Sequence, residues 1–434
     1  MIKVLKFGGT SVGSAANMKK VAEIVRREQA RITVLSAMSG TTDSLVRISR
    51  AAASGDRNAI EEQLAMLTDK YTRCIEELLR ERKQQALARM NATFGLIRDE
   101  AAAFEEYESE RKIIAQGELL TSAIFTAYLQ ETGLKAECLY SPDFMVKDPG
   151  EKVDTERIGR ALARVAGDDS TFFVAQGFIC SDSQGRIDNL GRGGSDYSAA
   201  LMGAAVEAAE VQIWTDIDGM HNNDPRFVDN TRPIRTMSFD EAAALAYFGA
   251  KILHPATIQP CKDHGIAVLL KNTMDPEAPG TTISNRDDDT KSFHAVAAKD
   301  GITVIRIHSA RMLMAYGFLR KVFEIFEQYR TPIDMITTSE VAVSLTVDND
   351  SHIDEIVRDL SALGSIEIER GNSIVCVVGR MEHGDAGLAA RVFECVRGVP
   401  IKMISYGASH RSLAILIDTE HKKRTLQCLN DGLF

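Results

Sequence analysis

The sequence predicts an α/β protein: a three-layer domain followed by two smaller ferredoxin-like (βαββαβ) modules. Three observations carry this expectation. Short apolar runs alternate with helical stretches up to about residue 285, the pattern of helices laid on both faces of a largely parallel sheet. Asn285-Arg-Asp-Asp-Asp-Thr290 then breaks the pattern with polar and charged residues, and is expected to be the linker. Beyond it the chain repeats itself. Gly317-Phe-Leu-Arg-Lys-Val-Phe-Glu324 aligns with Gly387-Leu-Ala-Ala-Arg-Val-Phe-Glu394, and Pro332-Ile-Asp-Met-Ile336 with Pro400-Ile-Lys-Met-Ile404. A period of about 70 residues is too long for a solenoid unit and points to a duplicated domain.

In chain order, Ile2, Val4, Leu5 and Phe7 predict a short buried strand. It ends in Gly8-Gly9, then Thr10-Ser11, then a helix over about 17–29. Strand, glycine turn and helix make a phosphate cradle, because glycine lets the backbone come close and free N–H groups supply donors. Lys6 shares a strand face with Ile2 and Val4, near the carboxyl end where open α/β sheets bind ligands. A surface lysine on a plain strand–turn–helix is the competing reading. Residues 32–36 form a second strand, and Ser36-Ala-Met-Ser-Gly-Thr-Thr42 leads from it into a helix. Residues 57–131 are mostly helical and are expected to flank the cleft, with Arg80-Glu-Arg-Lys83 as a solvated helix face. Strands follow at 135–140, 171–176, 211–216 and 266–270. Ser195 or Asp196 is placed to cap a helix through 199–208, and Ser238-Phe-Asp-Glu241 is a capping-box pattern.

In the last third, the first copy reads strand 302–308, helix 317–330, strands 333–338 and 341–347, helix 352–363 and strand 365–370. The second reads strand 373–378, helix 386–396, strands 401–405 and 412–417, and helix 420–430. It is one strand short, and the run 293–299 is expected to supply it. The expected domains are therefore 1–285, 293–372 with the donated strand, and 373–434.

With 434 residues the chain has ample core for two or three domains. A net charge of −10 implies no general nucleic-acid surface, so any phosphate site must rest on local placement. Seven scattered cysteines without a C-x-x-C read as reduced thiols in a cytoplasmic protein. The chain opens on a strand, so no signal peptide is expected, and no apolar run is long enough to span a bilayer. The histidines show neither H-E-x-x-H nor clustered spacing, so no structural metal is expected.

Lys6-Phe-Gly-Gly-Thr-Ser-Val12 is not a Walker loop, since no G-x-x-x-x-G-K-[ST] occurs. Gly117-Glu-Leu119, Leu190-Gly-Arg-Gly-Gly-Ser-Asp196, Trp214-Thr-Asp216 and Phe248-Gly-Ala-Lys-Ile-Leu-His-Pro255 follow it in that order. With these strings the chain resembles the aspartate kinases of the amino-acid kinase superfamily, in particular the monofunctional, lysine-sensitive type. Its paired modules resemble tandem ACT domains, which sense amino acids. The resemblance covers nearly the whole chain. It implies transfer of the γ-phosphoryl of ATP to the side-chain carboxylate of L-aspartate, giving 4-phospho-L-aspartate. That is the first step towards lysine, threonine and methionine. It also implies ATP with Mg2+, feedback by an end-product amino acid (L-lysine foremost) and a homodimer through the ACT modules.

The nucleophile in such a transfer is already an anion, so the site must neutralise charge and align groups rather than supply a general base. By resemblance, Lys6 stabilises the transferred phosphoryl group with the N–H groups of Gly8 and Gly9. Arg192 clamps the α-carboxylate of aspartate, since a guanidinium can do so bidentately. Gly193 and Gly194 let the backbone approach and Ser195 adds a donor. Glu118 and Asp196 favour the substrate ammonium, and Ser36 and Thr42 supply hydrogen bonds. The ATP side is built from Lys6, Phe7, Gly8 and Gly9 with Thr215, Asp216, His221, Arg226, Lys251 and Ile252. Mg2+ rides on phosphate oxygens, so no protein ligand is named. Plainer readings stand beside these: a surface-loop Arg192, a helix N-terminal Glu118 and a helix C-terminal Lys251. His221 stands where the family usually has Tyr, and Asn189 where Thr is common.

An effector site is expected at Met312-Leu-Met-Ala-Tyr-Gly317, which leads into a helix near Phe318 with free N–H groups for a carboxylate. Met312, Ala315, Gly317, Phe318 and Leu319 would form it, with Asp334 for an ammonium group and Thr338, Ser339 and Glu340 closing it. Met314 and Ala315 replace residues that are often polar in lysine-sensitive relatives. Two other readings compete. One is a superfamily member acting on glutamate, acetylglutamate or a nucleoside monophosphate; the paired modules and the Leu190–Asp196 string argue against it. The other is a non-catalytic sensor, which the presence of Lys6, Glu118, Arg192 and Asp196 opposes. No fused dehydrogenase is expected after Phe434.

Overall fold

A computed structural model describes every residue except 151, 168–169, 250–252, 254, 287–291, 313–315, 382–386 and 408. Two compact units emerge. One holds Met1–Met220, Arg235–Phe239 and Leu253–Asp287; the other holds His221–Ile234, Asp240–Ile252 and Asp288–Phe434. The second unit thus takes in two segments that precede residue 285. The expected linker falls mostly outside the described residues.

In chain order up to residue 220, the first unit contains β1 (Lys3–Phe7), α1 (Ala15–Glu28), β2 (Ile32–Leu35), α2 (Thr41–Ser54), α3 (Arg57–Leu78), α4 (Lys83–Ala102) and α5 (Glu106–Glu131). Next come β3 (Ala136–Cys138), α6 (Thr155–Gly167), β4 (Phe172–Gln176), β5 (Ile179–Ser181), β6 (Ile187–Asn189), α7 (Gly194–Ala205) and β7 (Glu210–Thr215). Beyond residue 220 follow β8 (Thr236–Ser238), α8 (Phe239–Tyr247), α9 (Gln259–Asp263), β9 (Ala267–Asn272) and β10 (Thr281–Ser284). From Asp240 on, α8 belongs to the second unit. Among the described residues the strands form an eight-stranded sheet in the order β3-β4-β2-β1-β7-β9-β10-β8. It is parallel from β3 to β9, and β10 runs antiparallel to β9.

Strand alternation sorts the side chains of β1. Leu5 and Phe7 join a buried cluster with Met18, Ile48, Tyr71 and Phe125 from α1, α2, α3 and α5. Val4 and Lys6 therefore take the other face, where Lys6 meets Asp196 of α7. Helices on both faces make the three layers. Phe7 stacks on Trp214 of the neighbouring strand, with ring centroids 5.8 Å apart.

Several elements depart from the sequence reading. The first helix begins at Ala15, because Ser14 accepts the Asn17 N–H at 3.2 Å and caps it earlier than expected. Neither Ser195 nor Asp196 caps α7. Gly193, at φ 73°, turns the chain into the helix two residues sooner and leaves both side chains free for other partners. Arg80-Glu-Arg-Lys83 spans the turn between α3 and α4 rather than a helix face, and the Arg80 and Arg82 N–H groups donate to the Glu131 carboxylate. The hairpin β5–β6, the strands β8 and β10, and helix α6 were not anticipated; the three-residue strands carry too little periodicity to be read.

The carboxyl-terminal part of the second unit contains β11 (Phe293–His308), α10 (Phe318–Gln328), β12 (Ile336–Thr338), β13 (Ala342–Val347), α11 (Ile353–Leu360), β14 (Ser365–Gly379), α12 (Gly387–Cys395), β15 (Met403–Ser405), β16 (Ser412–Asp418) and α13 (Lys422–Leu433). Its described strands run in the order β12-β13-β11-β14-β16-β15. The runs 293–299 and 302–308 are one strand, as are 365–370 and 373–378. Gly301 at φ 75° and Gly371 at φ 81° absorb an irregularity without ending either strand. Residues 302–308 pair with β13 and with 365–372, while 293–299 pair with 374–379. Each half of this long ribbon carries its own core. Ile305, Val322, Phe326, Leu345 and Leu360 fill one; Val296, Val375, Val392, Ile415 and Leu426 fill the other. All seven cysteines are free thiols, and no described helix is long and apolar enough to cross a membrane.

Candidate active site

A cavity of about 360 Å³ opens in the first unit, lined by Lys6, Ser36, Thr42, Glu118, Phe178 and the run 191–196. The structure therefore gathers Lys6, Ser36, Thr42, Glu118, Arg192, Gly193, Gly194, Ser195 and Asp196 around one space. The carboxyl end of β1 delivers Lys6, that of β2 delivers Ser36, and the start of α7 delivers Ser195 and Asp196. Lys6 Nζ lies 2.7 Å from Asp196 Oδ1, with both side chains about nine-tenths buried. Ser36 Oγ lies 3.0 Å from Ser195 Oγ. Arg192 is exposed, and its guanidinium has no partner among the described residues. The Ser195 and Asp196 N–H groups are likewise unpartnered at the start of α7. Together they make an anion site of one guanidinium and a helix N-terminus.

Glu118 sits deepest. One oxygen accepts the Ala37 N–H at 3.2 Å, and the other, Oε2, is buried without a partner among the described residues. Burial pushes its carboxyl up to about 7, against the Ala37 hydrogen bond that favours the charged form. A buried acceptor aimed into a cavity suits a cationic group of a ligand.

Beside the cavity, β1 and β7 are paired parallel strands. From β1 the chain goes on to β2 on one side, and from β7 to β8 and then β9 on the other, which makes a switch-point crevice at the strands' carboxyl ends. Gly8-Gly9 forms one lip and Thr215-Asp216 the other. The Gly9, Thr10 and Ser11 N–H groups have no partner among the described residues. A Cβ on Gly9 would stand 2.8 Å from the Ala37 carbonyl, so the turn is confined to glycine. Free donors, a glycine turn and the adjacent Lys6 ammonium fit a polyphosphate. Thr215 Oγ1 accepts the Ile217 N–H at 3.2 Å, and Asp216 is exposed.

Other expected ATP residues fare differently. The Phe7 ring is fully buried against Trp214 and is core, so only its backbone faces the crevice. His221 and Arg226 fall in the second unit. There His221 Nδ1 lies 3.0 Å from Thr231 Oγ1, and the Arg226 guanidinium is held by Asp224 at 2.6 Å. Lys251 and Ile252 lie outside the described residues.

Sequence reasoning missed the support behind the cavity. The loop from Ser36 to Thr41 is clamped to α5 by the Ala37 N–H on Glu118 and the Met38 N–H on Thr121 Oγ1. Tyr71 bridges Thr41 and Thr121 from α3, and Lys70 donates to the Ser39 carbonyl and to Thr41 Oγ1. Tyr71 reads in sequence as one more apolar helix position, so nothing marked it. Phe178 also lines the cavity at φ 67°, a conformation costly for a residue with a Cβ and commoner at functional sites.

In the second unit, Gly317 at φ 81° starts α10 without a side-chain cap. Phe318 turns into the core while Leu319 is exposed, so Phe318 offers only its backbone. Met312 is half-buried in a short turn, and Ala315 and Met314 lie outside the described residues. Thr338, Ser339 and Glu340 are exposed at the turn into β13. Asp334 is buried. Its Oδ1 accepts from Lys299 Nζ at 2.8 Å and Tyr247 OH at 2.7 Å, and its Oδ2 has no partner among the described residues.

Residues 1–272 match the Amino acid kinase family, well over half of the 434-residue chain. The chain belongs to the amino acid kinase family. Residues 375–433 of this family member match the ACT domain. Lysine-sensitive aspartokinase 3 of Escherichia coli is 34% identical over 460 residues, spanning 100% of this chain and 99% of the relative. Chloroplastic aspartokinase 1 of Arabidopsis thaliana is 32% identical, spanning 99% and 80%. Among solved structures, E. coli aspartokinase III in complex with aspartate and ADP (R-state) matches with a TM-score of 0.87 at 32% identity, over 100% of both chains. The same enzyme with lysine and aspartate (T-state) matches at 0.83, over 100% and 99%. Within the amino acid kinase family, then, this chain groups with the aspartokinases along its whole length, as the strings at Lys6 and Leu190 had implied.

Proposed function

We infer that the protein is an aspartate kinase, transferring the γ-phosphoryl of ATP to the side-chain carboxylate of L-aspartate. The observation that carries this is the meeting of Lys6, the unpartnered Glu118 oxygen and the Arg192–Asp196 run around one cavity, beside a glycine turn with free N–H groups. Arg192 and the start of α7 take the α-carboxylate. Glu118 takes the ammonium, assisted by Asp196. Ser36 and Thr42 orient the side-chain carboxylate towards the crevice. Gly8, Gly9 and the following N–H groups hold the phosphates, and Lys6 moves its charge onto the transferred phosphoryl as that group leaves ADP. Asp196 holds the Lys6 ammonium in place until then. The attacking carboxylate is an anion, so no proton has to be removed. Mg2+ accompanies ATP on its phosphate oxygens and neutralises charge there. Thr215 and Asp216, with His221, Arg226, Lys251 and Ile252, complete the nucleotide side.

Residues 1–285 are assigned to catalysis, 293–372 and 373–434 to the two ACT modules. L-lysine is the proposed effector, bound in the first module by Met312, Ala315, the start of α10, Asp334 and the turn 338–340. A homodimer through these modules and a cytoplasmic location complete the reading. The test is ADP release with a panel of amino acids, with and without lysine, threonine or methionine. Turnover is expected with aspartate alone and is lowered by lysine. Turnover with glutamate or acetylglutamate instead of aspartate would overturn the assignment.

A further inference from the structure

We propose that the Lys299 ammonium is a built-in competitor for the effector's ammonium at Asp334, and that its displacement loosens helix α8 through Tyr247. The idea rests on the effector site assigned above. Lys299, on β11, has two carboxylate partners, Asp334 Oδ1 and Asp348 Oδ2, each at 2.8 Å. Its ammonium also lies 4.7 Å from the centre of the Tyr247 ring, within cation–π range. Tyr247 OH in turn donates to Asp334 Oδ1. One carboxylate, one ammonium and one phenol thus form a closed triangle, and the buried Asp334 Oδ2 is its one oxygen without a partner among the described residues.

An incoming ammonium on Oδ2 places two cations on one carboxylate. They repel, and Lys299 has somewhere to go, because Asp348 is half-exposed and already in reach. Moving there takes the cation off the Tyr247 ring. Tyr247 closes α8, whose other end is fixed by Glu241, 2.7 Å from His294 Nδ1 on β11. The chain then passes Gly249, where a Cβ would stand 2.1 Å from the Ala298 carbonyl, so the segment lies tight on β11. In sequence it continues to Lys251 and Ile252, proposed for ATP, and then to Leu253. A loosened α8 would therefore bear on residues proposed for the nucleotide.

The internal repeat supplies an independent comparison. Asp334 aligns with Lys402, and with Gly301 matched to Gly371, Lys299 aligns with Glu369 and Asp348 with Asp418. The second copy has inverted two of the three charges. There Lys402 Nζ bonds Glu369, Asp418 and Asn372, and among the described residues the cluster has no tie to another helix such as Tyr247 makes. An ammonium held between carboxylates at this corner is thus a recurrent packing device, and only the first copy couples it to α8.

The experiment uses the full chain, with L-lysine binding by calorimetry and inhibition by steady-state turnover. Lys299→Met should bind lysine about tenfold more tightly, since its competitor is gone, yet be inhibited less at saturation. Tyr247→Phe keeps the ring but loses the hydroxyl; it should bind lysine and show reduced maximal inhibition. Unchanged or weaker binding in Lys299→Met overturns the competition, and full inhibition of Tyr247→Phe overturns the transmission. Asp334→Ala separates the two readings. If it alone abolishes binding while the other variants behave as the parent, the effector site stands and this inference falls. If it binds lysine as the parent does, both fall.

Discussion

Lys6 and Glu118 are the residues on which the site turns. Lys6 is a buried cation with one carboxylate partner among the described residues, so its charge is available to a phosphoryl group arriving at the Gly8–Gly9 turn. Lys6→Ala should lower kcat by about 10²–10³-fold, the usual cost of one such stabilising group; a variant within a few-fold of the parent would remove Lys6 from this role. Glu118 carries a pH signature. Its folded-state value of about 7 lies above its ordinary value near 4.5, so between those limits the native state holds more protons than the unfolded one. Stability contributed by Glu118 is therefore present at low pH and lost as pH rises towards 7. Denaturant midpoints measured from pH 5 to 8 should fall less steeply in Glu118→Gln than in the parent. Aspartate binding runs the opposite way, because an ammonium needs the charged carboxylate. KM for aspartate should rise as pH falls below about 7 in the parent and lose that rise in Glu118→Gln.

At the scale of elements, the cavity depends on how closely α5 meets the loop after β2. A Cβ on Gly117 would stand 2.8 Å from the Ala37 Cβ and 3.3 Å from Leu45 Cδ1, so that approach is reserved for glycine. Gly117→Ala should push the loop away from Glu118 and Thr121, destabilise the fold by about 1–3 kcal/mol and raise KM for aspartate. Unchanged KM with lowered stability would show that the loop tolerates the shift. Here too the sequence was uneven as a guide. Residues whose role depends on local spacing were legible: the strand–glycine–glycine turn at Lys6, the run from Leu190 to Asp196, and the repeated modules. Residues whose role depends on distant packing were not. Phe7 sits inside the strongest motif yet faces the core, because alternation along β1 assigns it there. Tyr71 and Lys70 act across α3 on a loop some thirty residues away. Lys299 looked like the end of a spare strand, and its pairing with Asp334 appears only once β11 is laid beside β13.

At the scale of the molecule, β11 and β14 each run through both carboxyl-terminal modules, so neither module owns a complete set of strands. The two should unfold as one. Amides in 293–299 and 374–379 should show hydrogen-exchange protection equal to that in 302–308 and 366–372, and separate transitions would contradict the shared ribbon. The first unit has its own singular feature. Trp214 is the chain's one tryptophan, fully buried, stacked on Phe7 and roofed by the Lys271 ammonium 5.1 Å from its ring. Its carbonyl accepts the Gly8 N–H, and the next two residues form a lip of the crevice. The protein therefore contains a native optical reporter at the very place a phosphate chain would settle. Its emission should lie well to the blue, and it should change in intensity when ADP is titrated into the unlabelled enzyme. Stopped-flow mixing then yields nucleotide on- and off-rates without any dye or substitution.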